Sequence, residues 1–265
     1  MAETYQVAIP SLNRSIEITQ KTLKTLESGK VSKNKITIFV HTNDQKKQYL
    51  ATCPGYNIIV SNVTGLINQR NFITNYYPLN QYIISMDDDV RKIQELYISH
   101  DDKKKLIDVK HLPKLFIKLY QLMNKKGAYL WGVHYSNPFF MKNEYALTFG
   151  FIDGGMYGYI NRKLKELEIN LVQYGDDTEI AVKYFKKDGV ILRPLNIAIT
   201  HNCSNNVGGL QSHNVNRLEQ NEKDSKKLFE VYPDIFSGYK LKNNAYVLTK
   251  YKRPTNQFKD DCNLI

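Results

Sequence analysis

Tyr82-Ile83-Ile84-Ser85-Met86-Asp87-Asp88-Asp89 is an apolar run of strand length that stops at three consecutive carboxylates. Adjacent anions repel, and ending a buried strand on them is tolerable only where a cation or strong donors offset the charge. A hard divalent ion such as Mg²⁺ or Mn²⁺, held by one or two carboxylates and by substrate phosphate oxygens, meets that requirement. A solvated acidic turn that caps a helix is the other reading of the run alone.

Working back toward the N-terminus, apolar stretches at 5–10, 36–41 and 56–61 read as strands, as does 82–86 itself. Helical patterns fill the gaps at 19–26, closed by Gly29, and at 44–51 and 67–76. Strands separated by helices at this spacing indicate βαβ units, hence an α/β fold with a mainly parallel sheet, and ligands bind at the carboxyl ends of such strands. Polar groups stand at three of those ends: Ser11-Leu12-Asn13-Arg14, His41-Thr42-Asn43-Asp44 and the Asp triplet.

Downstream, the charged stretch 100–105 reads as a surface loop, 113–125 as a helix with Pro113 in its first turn, and 129–135 as a strand. The segment 149–159 carries Gly150, Gly154, Gly155 and Gly158, which allow close backbone approach to something flat or bulky. A helix over 177–187 starts at Gly175-Asp176-Asp177 and ends at Gly189; acids there suit the helix dipole, so capping is one reading of them. Short strands at 190–195 and 197–200 lead to His201, a candidate ligand beside the polar run Asn202-Cys203-Ser204. From Asn214 onward the chain is polar and charged, with a helix through Lys227.

The 265 residues, 42% hydrophobic and 12% aromatic, suit one large α/β domain or two small ones. No run approaches a membrane span and the N-terminus lacks a signal-peptide pattern, so a cytoplasmic protein without a membrane partner is expected. Cys53, Cys203 and Cys262 are widely spaced and read as free thiols. The net charge of +11 would attract a polyanion such as nucleic acid, although the richness in Lys, Asn, Ile and Tyr also matches the bias of AT-rich coding.

The order of these motifs resembles the GT-A fold glycosyltransferases over about residues 5–211. Ile9-Pro10-Ser11 with Arg14 resembles their nucleotide-binding start, Gly65-Leu66-Ile67-Asn68-Gln69-Arg70-Asn71 their Gly and Arg-Asn segment, and Asp87-Asp88-Asp89 their Asp-x-Asp motif. The resemblance implies a Rossmann-like single domain, with a transferase core over 1–212 and a helical, aromatic extension over 213–265 packed on it. It implies a nucleotide-diphosphate sugar, UDP-linked, contacted by Pro10, Ser11, Arg14, Arg70, Asn71, Asp87 and Asp88, and Mn²⁺ or Mg²⁺ on Asp87, Asp89 and His201. Gly175-Asp176-Asp177 resembles the family's acidic motif, in which Asp177 would be the base of an inverting reaction and Asp176 would orient the acceptor or bind the sugar.

More narrowly, Ser85-Met86-Asp87-Asp88-Asp89-Val90, Asp153-Gly154-Gly155 and the run from His201 to Gln211 resemble the TET/JBP-associated glycosyltransferases of phages and eukaryotes. That resemblance implies a 5-hydroxymethylpyrimidine in DNA as acceptor. A flipped base would need aromatic contacts, for which Tyr135, Phe139, Phe140, Tyr157 and Tyr159 are candidates against the alternative that each is core. Lys103, Lys104, Lys105, Lys125, Lys126, Lys226, Lys227, Lys250 and Lys252 are candidates for phosphates. Other readings are a transferase for polysaccharide, lipid carrier or protein, a metal-dependent nuclease or phosphotransferase, and a nucleic-acid-binding module with a degenerate transferase fold.

Overall fold

The computed structural model describes residues 4–133, 137–201, 217–242, 245–250 and 257–258. Strands β1 (Tyr5–Pro10), β2 (Ile36–Val40), β3 (Asn57–Val60) and β4 (Tyr82–Met86) run parallel, in the spatial order β3-β2-β1-β4. Their near-continuous apolar character is what a sheet covered on both faces requires; every residue of Ile-Thr-Ile-Phe-Val in β2 is buried. Order reverses between β1 and β4, the switch point at which α/β sheets open a crevice. β9 (Met156–Ile160) then adds antiparallel to β4, and β7 (Leu130–Gly132) antiparallel to β9. The carboxyl end of β7 therefore faces the same edge as that of β4.

Helices cover the sheet. Ser15–Ile18 (α1) continues through a π-helical stretch at Thr19–Leu23 into Lys24–Ser28 (α2), and Asn43–Thr52 (α3) and Leu66–Tyr76 (α4) follow. In α5 (Leu112–Lys125), Leu112, Leu115, Phe116, Leu119 and Met123 share one buried stripe at helical spacing. That stripe packs on Trp131, which lies 6.4 Å from the Phe116 ring and is fully buried. On the other side of the indole, a Cβ at Gly158 would collide with it, and one at Gly150 would collide with the Arg193 guanidinium. The flat groups these glycines admit thus belong to the protein.

The stretch after the Asp triplet departs from the sequence expectation. It forms a hairpin of β5 (Val90–Ile98) and β6 (Lys104–Asp108), with 99–103 as its turn and β11 (Ile197–His201) on the far side of β5. Buried Val90, Ile93 and Leu96 recur every third residue, so the alternation that marks a half-buried strand is missing. The 190–195 stretch is strand only at β10 (Arg193–Pro194), which pairs with β8 (Tyr145–Ala146), itself paired with β14 (Gln257–Phe258); Leu192 bridges to Trp131 beside β7. Beyond α6 (Asp176–Asp188), α7 (Arg217–Val231) and the hairpin β12 (Phe236–Lys242) and β13 (Ala245–Lys250) follow, and Leu228 and Phe236 are buried in the cluster that holds Phe149 and Ile180. Among the described residues no helix is long and apolar enough to cross a membrane. Cys53 is a buried free thiol; Cys203, Cys262, Tyr135, Lys252 and the run from Asn202 to Gln211 lie outside the described residues.

Candidate active site

The polar ends of β1 and β4 meet at the switch point. Ser11 donates to Asp88 Oδ2 at 2.6 Å and shares a second 2.6 Å hydrogen bond with the hydroxyl of fully buried Tyr49 on α3. Arg14 Nη1 donates to Asp88 Oδ1 at 2.8 Å, and its backbone N–H donates to Tyr49 Oη at 2.9 Å. Asp88 is 5% exposed, with its two oxygens engaged by Ser11 and Arg14. Asp88, expected to contact the nucleotide, is here the anchor of Ser11 and Arg14. Burial raises its carboxyl above the usual range, while Arg14 and Ser11 oppose that shift. Pro10 is buried at the end of β1, opposite Phe39. Gln45 of α3, just past the polar group at the end of β2, reaches across to the end of β1, its Nε2 donating to Asn13 Oδ1 at 2.7 Å.

The turn of the Asp triplet is fixed from the helix behind it. Thr22, in the π-helical stretch, donates to Asp87 O at 2.7 Å and accepts from Val90 N at 2.9 Å. The Asp87 N–H donates to Gly155 O at 3.1 Å. Asp89 is 6% exposed.

Arg70 connects this turn to the start of α6. From a position only 4% exposed, its Nη1 donates to Ser85 Oγ at 2.8 Å and Tyr157 Oη at 3.0 Å, and its Nη2 donates to Asp87 Oδ1 at 3.0 Å and Gly154 O at 3.2 Å. Nε lies 2.6 Å from Asp176 Oδ2, an ion pair not aligned as a hydrogen bond. Asn71, adjacent in sequence, instead donates to Ile169 O at 2.8 Å and accepts from Ile169 N at 3.0 Å. Asn71, expected to contact the nucleotide, has its amide engaged at both ends by the loop before α6.

Asp177 accepts from Thr178 N at 2.6 Å and from Gly154 N at 3.3 Å. Its carboxyl is raised toward neutrality, first by burial and then by the charges of Asp176 and Asp153. Pairing of β11 with β5 sets His201 opposite Val90, directly after Asp89, and His201 Nε2 lies 2.9 and 3.1 Å from the two oxygens of Asp153. Asp153 and Tyr49 are among the site residues to which sequence reasoning assigned no role, as are Thr22 and Gln45. Asp153 stood within the quoted Asp-Gly-Gly motif, whereas Tyr49 carries no local signal in a polar helix. Tyr157 and Tyr159, for which base contact and core were the two readings, are core residues, 2% and 7% exposed.

Among the described residues no three His, Cys, Asp or Glu side chains form a ready metal cage. The donor chemistry nevertheless fits a hard cation. The Asp87 carboxyl is pushed up to about 7 by burial, opposed by Arg70 and reinforced by Asp176, Asp89 and Asp88. A site so short of positive charge suits an ion that takes two carboxylates and completes its shell with water and phosphate oxygens.

No protein-family model matches the chain, and no curated protein sequence does. Solved structures do match. Glucosyl-3-phosphoglycerate synthase from Mycobacterium tuberculosis, in complex with Mn²⁺ and UDP-glucose, aligns with a TM-score of 0.53 at 12% identity, over 94% of this chain and 86% of that one. The fold is of the GT-A type. The same enzyme with Mn²⁺, UDP-glucose and phosphoglyceric acid gives 0.52 at 12% identity, over 96% and 89% of the two chains. At such identity the likeness is one of fold, and the expected α/β architecture stands.

Proposed function

We propose that this protein is a glycosyltransferase that moves a sugar from a UDP-sugar to a hydroxyl group with the aid of a divalent metal. The observation that carries this reading is Arg70, whose single guanidinium contacts Asp87, Gly154 and Asp176 and so gathers the Asp triplet, the glycine loop and the helix-start acids into one site. That the fold neighbours hold UDP-glucose and Mn²⁺ adds support. In this reading Asp87 and Asp89 hold the metal with His201, whose ring Asp153 orients from Nε2, a common arrangement around metal-bound imidazoles. A metal there would act as a Lewis acid toward the leaving diphosphate.

Asp177 takes the proton of the acceptor hydroxyl as its oxygen attacks the anomeric carbon and the bond to the diphosphate breaks. A carboxylate whose pKa is raised toward neutrality is a stronger base for that step than an ordinary one. Arg14 and Arg70 contribute positive charge beside the acids, and Pro10 and Ser11 shape the nucleotide side. We take 1–212 as the transferase core and 213–265 as an extension packed on it.

The acceptor we propose is a 5-hydroxymethylpyrimidine in DNA. The +11 charge supports it. So does the segment after β7, where Phe139 and Phe140 are 76% and 61% exposed and Lys104 Nζ donates to the carbonyls of Phe139 and Met141. Exposed aromatics beside lysines are what stacking on an unpaired strand requires. The test is nucleotide release from a panel of UDP-sugars with Mn²⁺, comparing hydroxymethylated with unmodified DNA. Release stimulated only by hydroxymethylated DNA is expected; release indifferent to DNA would move the acceptor to polysaccharide, lipid carrier or protein, and no binding or release with any nucleotide sugar would remove the transferase reading.

A further inference from the structure

The segment entering α6 contains five successive backbone N–H groups, from Asn170 to Tyr174, that are satisfied by side chains of two helices. Glu179, completely buried on α6, accepts from Asn170 N at 2.9 Å, Leu171 N at 3.0 and 3.1 Å, and Val172 N at 3.2 Å. Asp224, 4% exposed on α7, accepts through Oδ2 from Gln173 N at 3.0 Å and Tyr174 N at 2.8 Å, while Gln220 Nε2 holds Oδ1 at 2.9 Å. Lys183 neutralises Glu179 at 2.7 Å and also bonds Asn170 Oδ1. One residue upstream, Asn71 of α4 closes the frame on both polar groups of Ile169. Gly175, with φ of 83°, then turns the chain directly into Asp176 and Asp177.

We infer that Asn71, Glu179 and Asp224 are positioning residues that hold 169–174 from three helices and thereby set where Asp176 and Asp177 stand. This rests on the transfer activity proposed above. A loop whose amides bonded to water would leave the start of α6 free to shift; here they bond to two buried carboxylates, whose own need for donors fixes the loop's path and place. Asp224 makes α7 part of the transfer machinery although it carries none of the proposed donor contacts. A displacement of the base of about 1 Å is sufficient to lower turnover about 100-fold.

The variants to compare are Asp224→Ala, Asp224→Asn and Asn71→Ala. Asp224→Ala and Asn71→Ala are expected to lower kcat for transfer about 10–100-fold, with the KM for the UDP-sugar within about twofold of native. Asp224→Asn, which keeps an oxygen acceptor for Gln173 and Tyr174, is expected to restore most of the rate. Native kcat in folded Asp224→Ala, or a raised donor KM with unchanged kcat in Asn71→Ala, overturns the inference. Hydrogen exchange gives a readout independent of catalysis: amides 170–179 of Asp224→Ala lose protection while those of β1 and β4 keep theirs, and native protection overturns the inference even if the protein turns over no sugar. Should Asp224→Ala not fold, Asn71→Ala carries the same two measurements. A native protein that binds no nucleotide sugar would refute the transferase reading itself, and the exchange result would still decide the frame.

Discussion

Arg70 Nη2 donates to Asp87 Oδ1 at 3.0 Å, so a buried helix-borne guanidinium pairs with a half-buried strand-end carboxylate. The same guanidinium lies 2.6 Å from Asp176 through Nε. Removing it would leave buried Asp176 without its cation, at a cost of about 3–5 kcal/mol by the usual behaviour of buried pairs, with a smaller loss at half-buried Asp87. Arg70→Met is therefore expected to shift the denaturant midpoint down markedly with an unchanged m-value. Lysine cannot reproduce the fork, and Arg70→Lys is expected to recover only part of that stability; a native midpoint in either variant would contradict the pairing.

Asp89→Ala is expected to abolish metal-dependent turnover, whereas Asp88→Asn should keep metal binding and lose stability through the Arg14 and Ser11 contacts. Mn²⁺ titration by calorimetry separates the two. Activity retained in Asp89→Ala would remove Asp89 from the metal.

Because the metal-free Asp87 carboxyl stands at about 7 rather than 3.8, the folded protein keeps a proton between those values that the unfolded chain has released. Its contribution to stability is present at low pH and is lost as pH rises through 7. A cation binds the ionised form and displaces that proton, so Mn²⁺ affinity is expected to rise about tenfold per pH unit below 7 and then level off. The gain in Tm on adding Mn²⁺ should grow from pH 5.5 to 7.5. An affinity flat across that range would show that Asp87 is ionised without metal or does not ligate it.

Asp177→Asn keeps the shape of the side chain and removes its basicity. Donor binding is expected to stay native while transfer falls by about 100-fold or more. In the native protein kcat should climb with pH through the neutral region, since the raised carboxyl must lose its proton to act. Normal transfer in the variant would reduce Asp177 to a helix-start residue bracing Gly154 and Thr178.

The exposed ring pair provides the acceptor test. Phe139→Ser with Phe140→Ser is expected to weaken single-stranded DNA binding about tenfold or more while sparing UDP-sugar binding. Fluorescence anisotropy with a labelled oligonucleotide measures it, and unchanged DNA affinity would count against these rings as the stacking platform.

Much of this was legible along the chain. The runs that form β1, β2, β3 and β4, the helices between them and the acids at the end of β4 follow from local apolar periodicity and from Gly29 and Gly189 as stops, because those signals act between neighbours in sequence. That polar groups stand at three strand ends was legible too, whereas the spatial order that opens a crevice between β1 and β4 came only from the tertiary structure. What only the tertiary structure decided is how the charges are shared: Asp88 goes to Arg14, Asp87 and Asp176 to Arg70, and Asp153 to His201. The same holds for Asn71, Glu179 and Asp224 on the loop before α6. A carboxylate's role depends on burial and on cations within a few ångströms, and those partners are brought together by packing from positions whose spacing in sequence carries no trace of it.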